Sequence, residues 1–334
     1  MPDLTLATVL AGTVVIALNA YVVLAGADFG GGVWDLLAAG PRRGRQRDLI
    51  GHAIAPVWEA NHVWLILAIV LLFACFPSAF AELAITLHIP LTLMLVGIVL
   101  RGSAFTFRSY DRQYDLRQEQ WGRIFAIASV VPPVLLGVAV GTVAAGRVGG
   151  PRTGDFMADF VRPWLTPFAW SIGLYTLLLF AFLAAVYLTV ETDDPGLQED
   201  FRARALVTGG LLFFAALLSL ALSTGGGAPR IRAGLLGQPG AIPLQLATGL
   251  AAVTALGALW KRRYRVARVA AVAQVSAILW GWALSQYPYL LPPHLSIADA
   301  AAPTITLQLT LGALVVGAGV LIPSLVYLFR IFKR

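Results

Sequence analysis

The stretch Ile54-Ala55-Pro56-Val57-Trp58-Glu59-Ala60-Asn61-His62-Val63-Trp64-Leu65-Ile66 decides how this chain is interpreted. It opens an apolar run that continues to Phe76 and is long enough to cross a bilayer. Its first turns nevertheless carry the carboxylate of Glu59, the carboxamide of Asn61 and the imidazole of His62. In a helix Glu59 and His62 share a face, and Asn61 lies about 100° from His62 around the axis. Ionisable groups at membrane depth cost about 2.5–3.5 kcal/mol each and usually mark a pathway or site, so Glu59 is the first functional candidate.

Composition places the whole chain in a membrane. Of its 334 residues 58% are hydrophobic and only 12% are charged, and the mean hydropathy is +0.79. A soluble domain carries about 25% charged residues, so we predict an all-α polytopic membrane protein with one integral membrane domain over residues 1–334. The net charge of +7 then indicates topology and contact with anionic membrane lipid, not nucleic acid. The single cysteine, Cys75, can form neither an internal disulfide nor a cysteine-rich metal site.

Nine apolar segments are long enough to span a bilayer, which needs about 20 residues of helix. The first lacks a basic segment before it and exceeds the about 7–15 apolar residues of a signal peptide, so we expect it to be retained as a helix. The basic segment Lys261–Arg265 is hard to bury and is predicted to be a short loop between the seventh and eighth spans. The nine predicted spans are about 4–26, 52–76, 80–102, 122–146, 164–190, 204–222, 243–260, 266–285 and 304–329.

The distribution of positive charge predicts the orientation of these spans. With the N-terminus outside, 19 of the 24 Lys and Arg residues fall in segments on the inner side of the membrane. Inner segments of membrane proteins carry such an excess, so we predict that the N-terminus is outside and the C-terminus is cytoplasmic. The longest gaps, about 147–163, 223–242 and 286–303, are rich in Gly and Pro and are predicted to be outer loops.

A glycine-rich segment, Gly26–Gly32, follows the first predicted span and contains Asp28. Such a cluster either ends a helix or lets two backbones approach closely. No Gly-Lys-Ser/Thr follows it, so it is not a phosphate-binding loop. Asp28 has two interpretations that the sequence leaves open: it caps a short helix entering Trp34, or it faces a proton-conducting crevice between helices.

Two of the four histidines, His62 and His88, lie within predicted spans. They could clasp a haem between the second and third helices, since a haem needs an axial His or Met. A hydrogen-bonded polar pair facing a partner helix is the simpler interpretation. Glu82, near the predicted outer surface, could join His88, Glu59 and His62 in a polar seam, or stay hydrated at the interface. No motif resembles a metal cluster, a hydrolytic triad or a nucleotide site.

Five motifs are spread along nearly the whole chain: Gly26-x-Asp28-x-Gly30, Pro56-Val57-Trp58-Glu59-Ala60-Asn61-x-x-Trp64-Leu65-Ile66, Arg101-Gly102-x-Ala104-Phe105-x-Phe107-Arg108, Val131-Pro132-Pro133 and Gln286-Tyr287-Pro288-Tyr289-Leu290-Leu291-Pro292-Pro293. Together they resemble subunit II of cytochrome bd-type quinol oxidases. The Trp-acid-x-Asn-x-x-Trp and Gln-Tyr-Pro-Tyr elements are specific, and the glycine motif alone is much less so. Glu-Ala-Asn-His, where the common form has Asp-Gly-Asn and a variable residue, resembles the cyanide-insensitive branch.

The resemblance implies a nine-helix subunit that pairs with a related subunit I in a prokaryotic cell membrane. Subunit I would carry haem b, haem d and the quinol site, and the complex would oxidise quinol and reduce dioxygen to water. The resemblance implies no haem and no metal in this chain, and it allows a structurally held quinone and small accessory subunits. It assigns Glu59 to a route for protons from the cytoplasm, with Asp28 as a second acid and Arg101 as a basic residue of the pattern. Asn61 and His62 would be accessories of this proton pathway or inter-subunit polar network.

The sequence departs from the family pattern at three places that concern the proton route. Ala25 and Thr106 stand where the family often has acids, and an Asp common near the start of the fourth helix is replaced within Trp121-Gly122-Arg123. Two other functional hypotheses remain open at this point. The chain could be a proton-coupled secondary transporter that uses the Glu59–His62 seam, although it shows no inverted repeat. It could also be a purely structural assembly subunit in which Glu59 has no role.

Overall fold

The computed structural model of the protein describes residues 5–54, 58–110, 115–237 and 241–332, and these residues are almost entirely helical. The described part contains thirteen α-helices, two π-helical turns (Met157–Val161 and Ser223–Gly227) and one antiparallel hairpin of β1 (Tyr289–Leu291) and β2 (Leu295–Ser296). The helices are α1 (Leu6–Leu36), α2 (Arg43–Ile54), α3 (Trp58–Cys75), α4 (Pro77–Thr86), α5 (His88–Tyr110), α6 (Asp115–Ala144), α7 (Pro167–Leu188), α8 (Pro195–Leu222), α9 (Pro229–Leu236), α10 (Ala241–Trp260), α11 (Tyr264–Gln286), α12 (Ile297–Ala300) and α13 (Thr304–Phe332).

The membrane fold predicted from hydropathy is confirmed. Among the described residues, eight helices are long and apolar enough to cross a bilayer, and α3 together with α4 forms a ninth candidate that is bent by 117°. The predicted fourth to ninth spans correspond to α6, α7, α8, α10, α11 and α13. The basic loop is confirmed as well, because α10 ends at Trp260 and α11 begins at Tyr264. The orientation across the membrane and the single-domain organisation stay predictions.

The predicted third span is wrong, and the start of the second span stays a prediction. The start of the span 52–76 lies beside residues 55–57, which are outside the described part; on either side of them α2 ends at Ile54 and α3 begins at Trp58. The span 80–102 is not one helix, because α4 ends at Thr86 and α5 begins at His88. Pro77 starts α4, and Phe76 before it has φ −138° and ψ 59°, outside the helical region that proline disfavours in its predecessor. Helix α4 is as apolar as a span, so hydropathy could not reveal the break.

The first helix is longer than predicted. It begins at Leu6, where the Thr5 hydroxyl accepts a hydrogen bond from the Thr8 N–H at 3.2 Å, and continues through the glycine segment to Leu36. The glycines therefore do not end the helix; they allow close approach. A Cβ at Gly30 would lie 2.0 Å from the Phe180 carbonyl oxygen of α7, and one at Gly32 would lie 2.2 Å from Ser129 of α6. Tight contacts on two sides make α1 a central packing element of the bundle.

The three predicted outer loops contain more regular structure than expected. The segment 147–163 includes the first π-helical turn, 223–242 includes the second π-helical turn and α9, and 286–303 folds into the β1–β2 hairpin and α12. The hairpin pairs Tyr289 with Ser296 and Leu291 with Leu295. Its connection into α13 is fixed to α3, because the Ala302 N–H donates to the Cys75 carbonyl at 2.8 Å. Buried Cys75 packs in the apolar cluster of this end of the molecule.

Replacing Gly30 by Ala should destabilise the protein through the contact between α1 and α7. The new methyl group would overlap the Phe180 backbone, which cannot rotate away as a side chain can. Overpacking of this kind typically costs about 1–3 kcal/mol in the free energy of unfolding. Thermal unfolding of the purified protein should show a lower Tm. Gly12→Ala in the same helix is the control, because no atom lies within 4 Å of its added Cβ. Equal Tm values for the two variants would contradict the close-approach role.

The predicted orientation can be tested with two reporters fused after Arg334. We expect a fluorescent protein at this position to fluoresce and an alkaline phosphatase to be inactive, because the basic segments, including the C-terminus, should be cytoplasmic. The same reporters inserted at Gly154, in the loop predicted to be outside, serve as the internal control and should give the opposite pattern. Active phosphatase after Arg334 would reverse the orientation.

Candidate functional site: a buried polar cluster beside helix α1

Asp28 and Asn61 form a buried pair between α1 and α3. Asp28 is 5% exposed and Asn61 is 2% exposed, and the Asn61 side-chain amide donates to the Asp28 carboxylate, Nδ2 to Oδ2, at 2.5 Å. Helix α1 runs through Asp28, so Asp28 does not cap a separate helix. The capping interpretation is therefore wrong, and the proton-conducting crevice stays a prediction. Whether that position conducts protons is a separate question of function.

Arg101 brings a permanent positive charge to the same place from α5. It is 2% exposed, and its guanidinium carbon lies 4.7 Å from the ring centre of Phe29 and 5.2 Å from that of Phe125. Its Nε donates to the Ser129 hydroxyl at 3.2 Å, and the charge interacts electrostatically with Asp28 and with Tyr21. Within the described part of the chain, Nη2 of Arg101 has no hydrogen-bond partner. The cluster thus contains a buried cation and a buried carboxylate whose charges oppose each other.

His62 lies beside this cluster, and Glu59 cannot be placed relative to it. The His62 ring packs between Tyr21 and Phe29, with ring centroids 5.8 and 5.9 Å away. Glu59 belongs to the first turn of α3, but its side chain lies outside the described part of the structure. Four of the five predicted site residues, Asp28, Asn61, His62 and Arg101, are therefore brought together, and the geometry leaves the fifth untested.

The predicted seam that continues through Glu82 and His88 is not formed. Glu82 accepts a 3.0 Å hydrogen bond from Arg152, which lies between α6 and α7. His88 is exposed and packs against Phe160 with ring centroids 5.2 Å apart. The bend between α3 and α4 separates Glu82 from the helix that carries His62. His62 and His88 consequently have different surroundings, and within the described residues no three His, Cys, Asp or Glu side chains converge as a metal site.

A second polar cluster, which the sequence analysis missed, lies where α1 ends. Asp35 is fully buried, and Nε of Arg47 in α2 lies 3.8 Å from its carboxylate. Nearby, the Gln46 amide donates to Asp200 at 2.8 Å, and its oxygen accepts from Arg204 at 2.8 Å. These contacts join α2 to α1 and α8.

The edge of this cluster is exposed. Arg42 donates hydrogen bonds to both oxygens of Asp200, and this hydrogen bonding raises the pKa of Arg42 above its ordinary value. Arg45 forms an ion pair with Asp194. Arg42 and Arg45, which were counted in the prediction of membrane orientation, are thus also bound to carboxylates of α8 and of the turn before it. One sequence signal could have revealed the buried part: Tyr21, Asp28 and Asp35 repeat every seven residues, which puts them on one face of a helix.

Comparison with known proteins identifies the family. The sequence model described as "Cytochrome bd terminal oxidase subunit II" matches residues 6–332. The chain belongs to this family. The chain is 22% identical over 324 residues to the "Putative cytochrome bd menaquinol oxidase subunit II" of Bacillus subtilis, covering 94% of this chain and 92% of that protein. It is 30% identical over 181 residues to the "Cytochrome bd-I ubiquinol oxidase subunit 2" of Escherichia coli K12, covering 53% of this chain and 46% of that one.

The fold is similar to that of a solved bd oxidase. The structure of bd oxidase from Geobacillus thermodenitrificans matches 98% of this chain and 99% of the solved chain with a TM-score of 0.81, at 23% sequence identity. As a cytochrome bd terminal oxidase subunit II, the chain is a multi-pass membrane component of an oxidoreductase complex that also contains subunit I. This finding leaves the secondary-transporter hypothesis without support.

Substitution of Arg101 by Gln should destabilise the protein because it leaves the Asp28 carboxylate buried without its opposing charge. Removing one partner of a buried ion pair typically costs about 3–5 kcal/mol. The cost should be smaller when Asp28 is already Asn, so a double-mutant cycle measured by thermal unfolding should show coupling between the two positions. Arg162→Gln, at an exposed position between α6 and α7, is the matched control. Strictly additive effects of Arg101→Gln and Asp28→Asn would contradict the electrostatic pairing.

Proposed function

We propose that this chain is the non-haem subunit of a quinol-oxidising bd-type oxidase, where it supports subunit I and carries protons from the cytoplasm towards the site of dioxygen reduction. The quinol substrate is inferred from the family resemblance and from relatives whose names specify menaquinol or ubiquinol. Because those names differ, only the class of quinol is proposed. Haem b and haem d, which we assign to subunit I, supply electron transfer and oxygen reduction when bound.

The single observation that carries the proton-transfer proposal is the buried Asp28–Asn61 pair beside Arg101. A carboxylate buried within a membrane protein is costly, and such groups are characteristic of proton relays in membranes. Reduction of dioxygen to water consumes protons, and a buried carboxyl group can accept and release one without a change in the fold. Asn61 holds one Asp28 oxygen in place, and the Arg101 charge offsets the charge of the deprotonated form.

The surroundings of the histidines support the assignment of the haems to the partner subunit. Two histidines that clasp one haem must lie on opposite sides of the same ring plane. His62 packs against Tyr21 and Phe29 of α1, whereas His88 packs against Phe160 of the loop between α6 and α7. The two rings thus contact different elements instead of facing each other.

The second candidate function is a structural subunit in which the same cluster only holds helices together. The observation that favours it is the Asn61–Asp28 hydrogen bond, because an inert clamp between α1 and α3 would use the same contact. The two functions make different demands on Asp28. A clamp requires a hydrogen-bond acceptor of the correct shape, whereas a proton carrier requires a titratable group.

Asp28→Asn in the assembled complex with subunit I should therefore slow oxygen consumption. Turnover is expressed per haem, so that any loss of assembly caused by the unpaired Arg101 charge is separated from the loss of proton transfer. Asn keeps the size and one acceptor of Asp but cannot exchange a proton. Proton transfer by a positioned side chain is typically worth a factor of about 10²–10⁴, so we expect a loss of at least about tenfold. Glu59→Gln should have a similar effect if the resemblance assigns it correctly to the same route. Turnover is measured with an oxygen electrode and an excess of quinol.

Asp193→Asn provides the matched control, because Asp193 is an exposed carboxylate in the turn between α7 and α8. This variant should assemble and turn over normally. Normal turnover in an assembled Asp28→Asn complex would reject the proton-carrying role and favour the structural subunit. Absence of haem from the complex of this chain with subunit I would reject the oxidase function itself.

A further inference from the structure

The connection between α10 and α11 carries positive charges that the chain does not neutralise. Lys261, Arg263 and Arg265 are exposed, and within the described residues their side chains form no ion pair and no hydrogen bond. We call these three residues the cationic trio. The sequence contains no Asp or Glu between Asp200 and Asp299, so α10, α11 and their connection hold no carboxylate side chain of their own.

Carboxylates of the neighbouring helices do not neutralise the cationic trio either. Glu199 of α8 binds Arg202 and also Arg262, the fourth cation of the connection, whose Nε lies 3.4 Å from the carboxylate. Asp193, in the turn between α7 and α8, is exposed and forms no ion pair with the trio within the described part. The other carboxylates at this end of α7 and α8 are bound to arginines outside the trio: Glu191 to Arg268, Asp194 to Arg45 and Asp200 to Arg42. The trio thus keeps a net charge that an external anion can offset.

An exposed apolar face of α10 leads directly to this charge. Four side chains of the face lie within about 40° of one line along the helix, at about 100° per residue. They are between 68% and 74% exposed: Leu246, Leu250, Val253 and Trp260. From Leu250 to Trp260 the helix rises about 15 Å, which is half of the about 30 Å hydrocarbon thickness of a bilayer. This part of the face therefore matches the depth of one membrane leaflet.

Gly257 leaves a notch in this face between Val253 and Trp260. A Cβ at Gly257 would have no atom within 4 Å, so the notch is open. Lys261 follows Gly257 by four residues and extends the same face of α10 by one turn. Trp260 stands beside the charges, as tryptophan typically does at the boundary between hydrocarbon and water. An acyl chain lying in the notch would therefore lead to a headgroup at the level of the cationic trio.

The backbone of the connection holds these charges in place. Arg262 has a φ of 55°, and its N–H donates to the Leu259 carbonyl at 3.1 Å. The Arg263 N–H donates to the Ala258 carbonyl at 2.8 Å, which completes a Schellman motif at the end of α10. The backbone that carries Lys261 and Arg263 is thus fixed before any ligand binds, and a fixed backbone lowers the ordering cost of binding.

We propose that this corner of the subunit binds an anionic phospholipid, with its phosphate at the cationic trio and one acyl chain along Leu250, Val253 and Trp260. A headgroup with a net negative charge supplies the missing counterion. A zwitterionic headgroup carries its own cation, which the trio repels, and free phosphate would leave the apolar face of α10 uncovered. The inference goes beyond the proposed function and does not depend on the role of Asp28.

The test uses the complete complex with subunit I, reconstituted into lipid nanodiscs of phosphatidylglycerol and phosphatidylcholine. One of the two lipids carries brominated acyl chains, which quench tryptophan fluorescence on contact. The contribution of Trp260 is the difference between each protein and the same protein carrying Trp260→Phe. We expect half-maximal quenching of Trp260 at an at least about fivefold lower mole fraction of phosphatidylglycerol than of phosphatidylcholine, because each cation near a membrane surface attracts anionic lipid by about this factor.

Two triple variants show whether the cationic trio causes this preference. Lys261→Gln, Arg263→Gln and Arg265→Gln together should make the two lipids quench equally, and Arg262 is retained because it binds Glu199. The matched control removes the same charge from three exposed arginines elsewhere in the chain and should keep the preference: Arg147→Gln, Arg162→Gln and Arg232→Gln.

Four results would overturn the proposal. Equal quenching by both lipids in the unmodified complex would show that the corner does not select charge. A preference that survives in the trio variant would place the selecting charges elsewhere. No quenching of Trp260 by either lipid would show that protein covers this face in the complex. Loss of the preference on addition of inorganic phosphate, at constant ionic strength, would identify a free anion as the ligand instead of a lipid.

Discussion

The burial of the Arg101 guanidinium is the constraint on which the polar core of this subunit depends. Removing an ion from water costs several kcal/mol even after relaxation, so a buried arginine requires compensation from its surroundings. Four groups compensate the Arg101 charge here: the aromatic faces of Phe29 and Phe125, the Ser129 hydroxyl and the opposing charge of Asp28. These groups come from α1 and α6, Arg101 itself belongs to α5, and Asn61 adds α3 through Asp28. Four helices must therefore keep their relative positions for one charge to remain buried.

Most of the fold was predictable because hydropathy along the sequence directly shows the length and the apolar composition of each membrane span. The six spans from α6 to α13 each lie between turn-rich segments, and each was found. The failures have specific physical causes. Helix α4 is apolar and short, and only the backbone restriction around Phe76-Pro77 distinguishes it from part of a span. The glycines of α1 suggested a helix end, because glycine weakens an isolated helix. In the folded protein the glycines instead stay helical because they pack closely against Phe180 and Ser129. The sequence alone does not show which residues pack against them.

The candidate site was predicted in part, for a similar reason. Asp28, Asn61, His62 and Arg101 were recognised because polar groups within apolar segments are conspicuous and because the motifs resembled a family. Asp35 was missed because the predicted first span ended at residue 26, which left Asp35 outside every predicted span. The Glu82–His88 seam failed because a seam between two helices depends on their mutual rotation. Helical periodicity fixes faces within one helix and says nothing of the rotation between two.

The geometry of α1 explains how one helix can both anchor the bundle and carry a polar column. Gly26 and Gly30 lie about 160–200° around the axis from Asp28, so the close contact with Phe180 of α7 is on the opposite face. Trp34 belongs to the packing side as well, since its indole N–H donates to the Ala181 carbonyl at 2.8 Å. Tyr21, Asp28 and Asp35 stay within about 20° of one line on the other side. The packing face fixes the height and rotation of α1, and that fixed rotation holds Asp28 against Asn61 and Asp35 beside Arg47. One rotation of α1 therefore satisfies the apolar contact with α7 and the polar contacts with α2 and α3 at the same time.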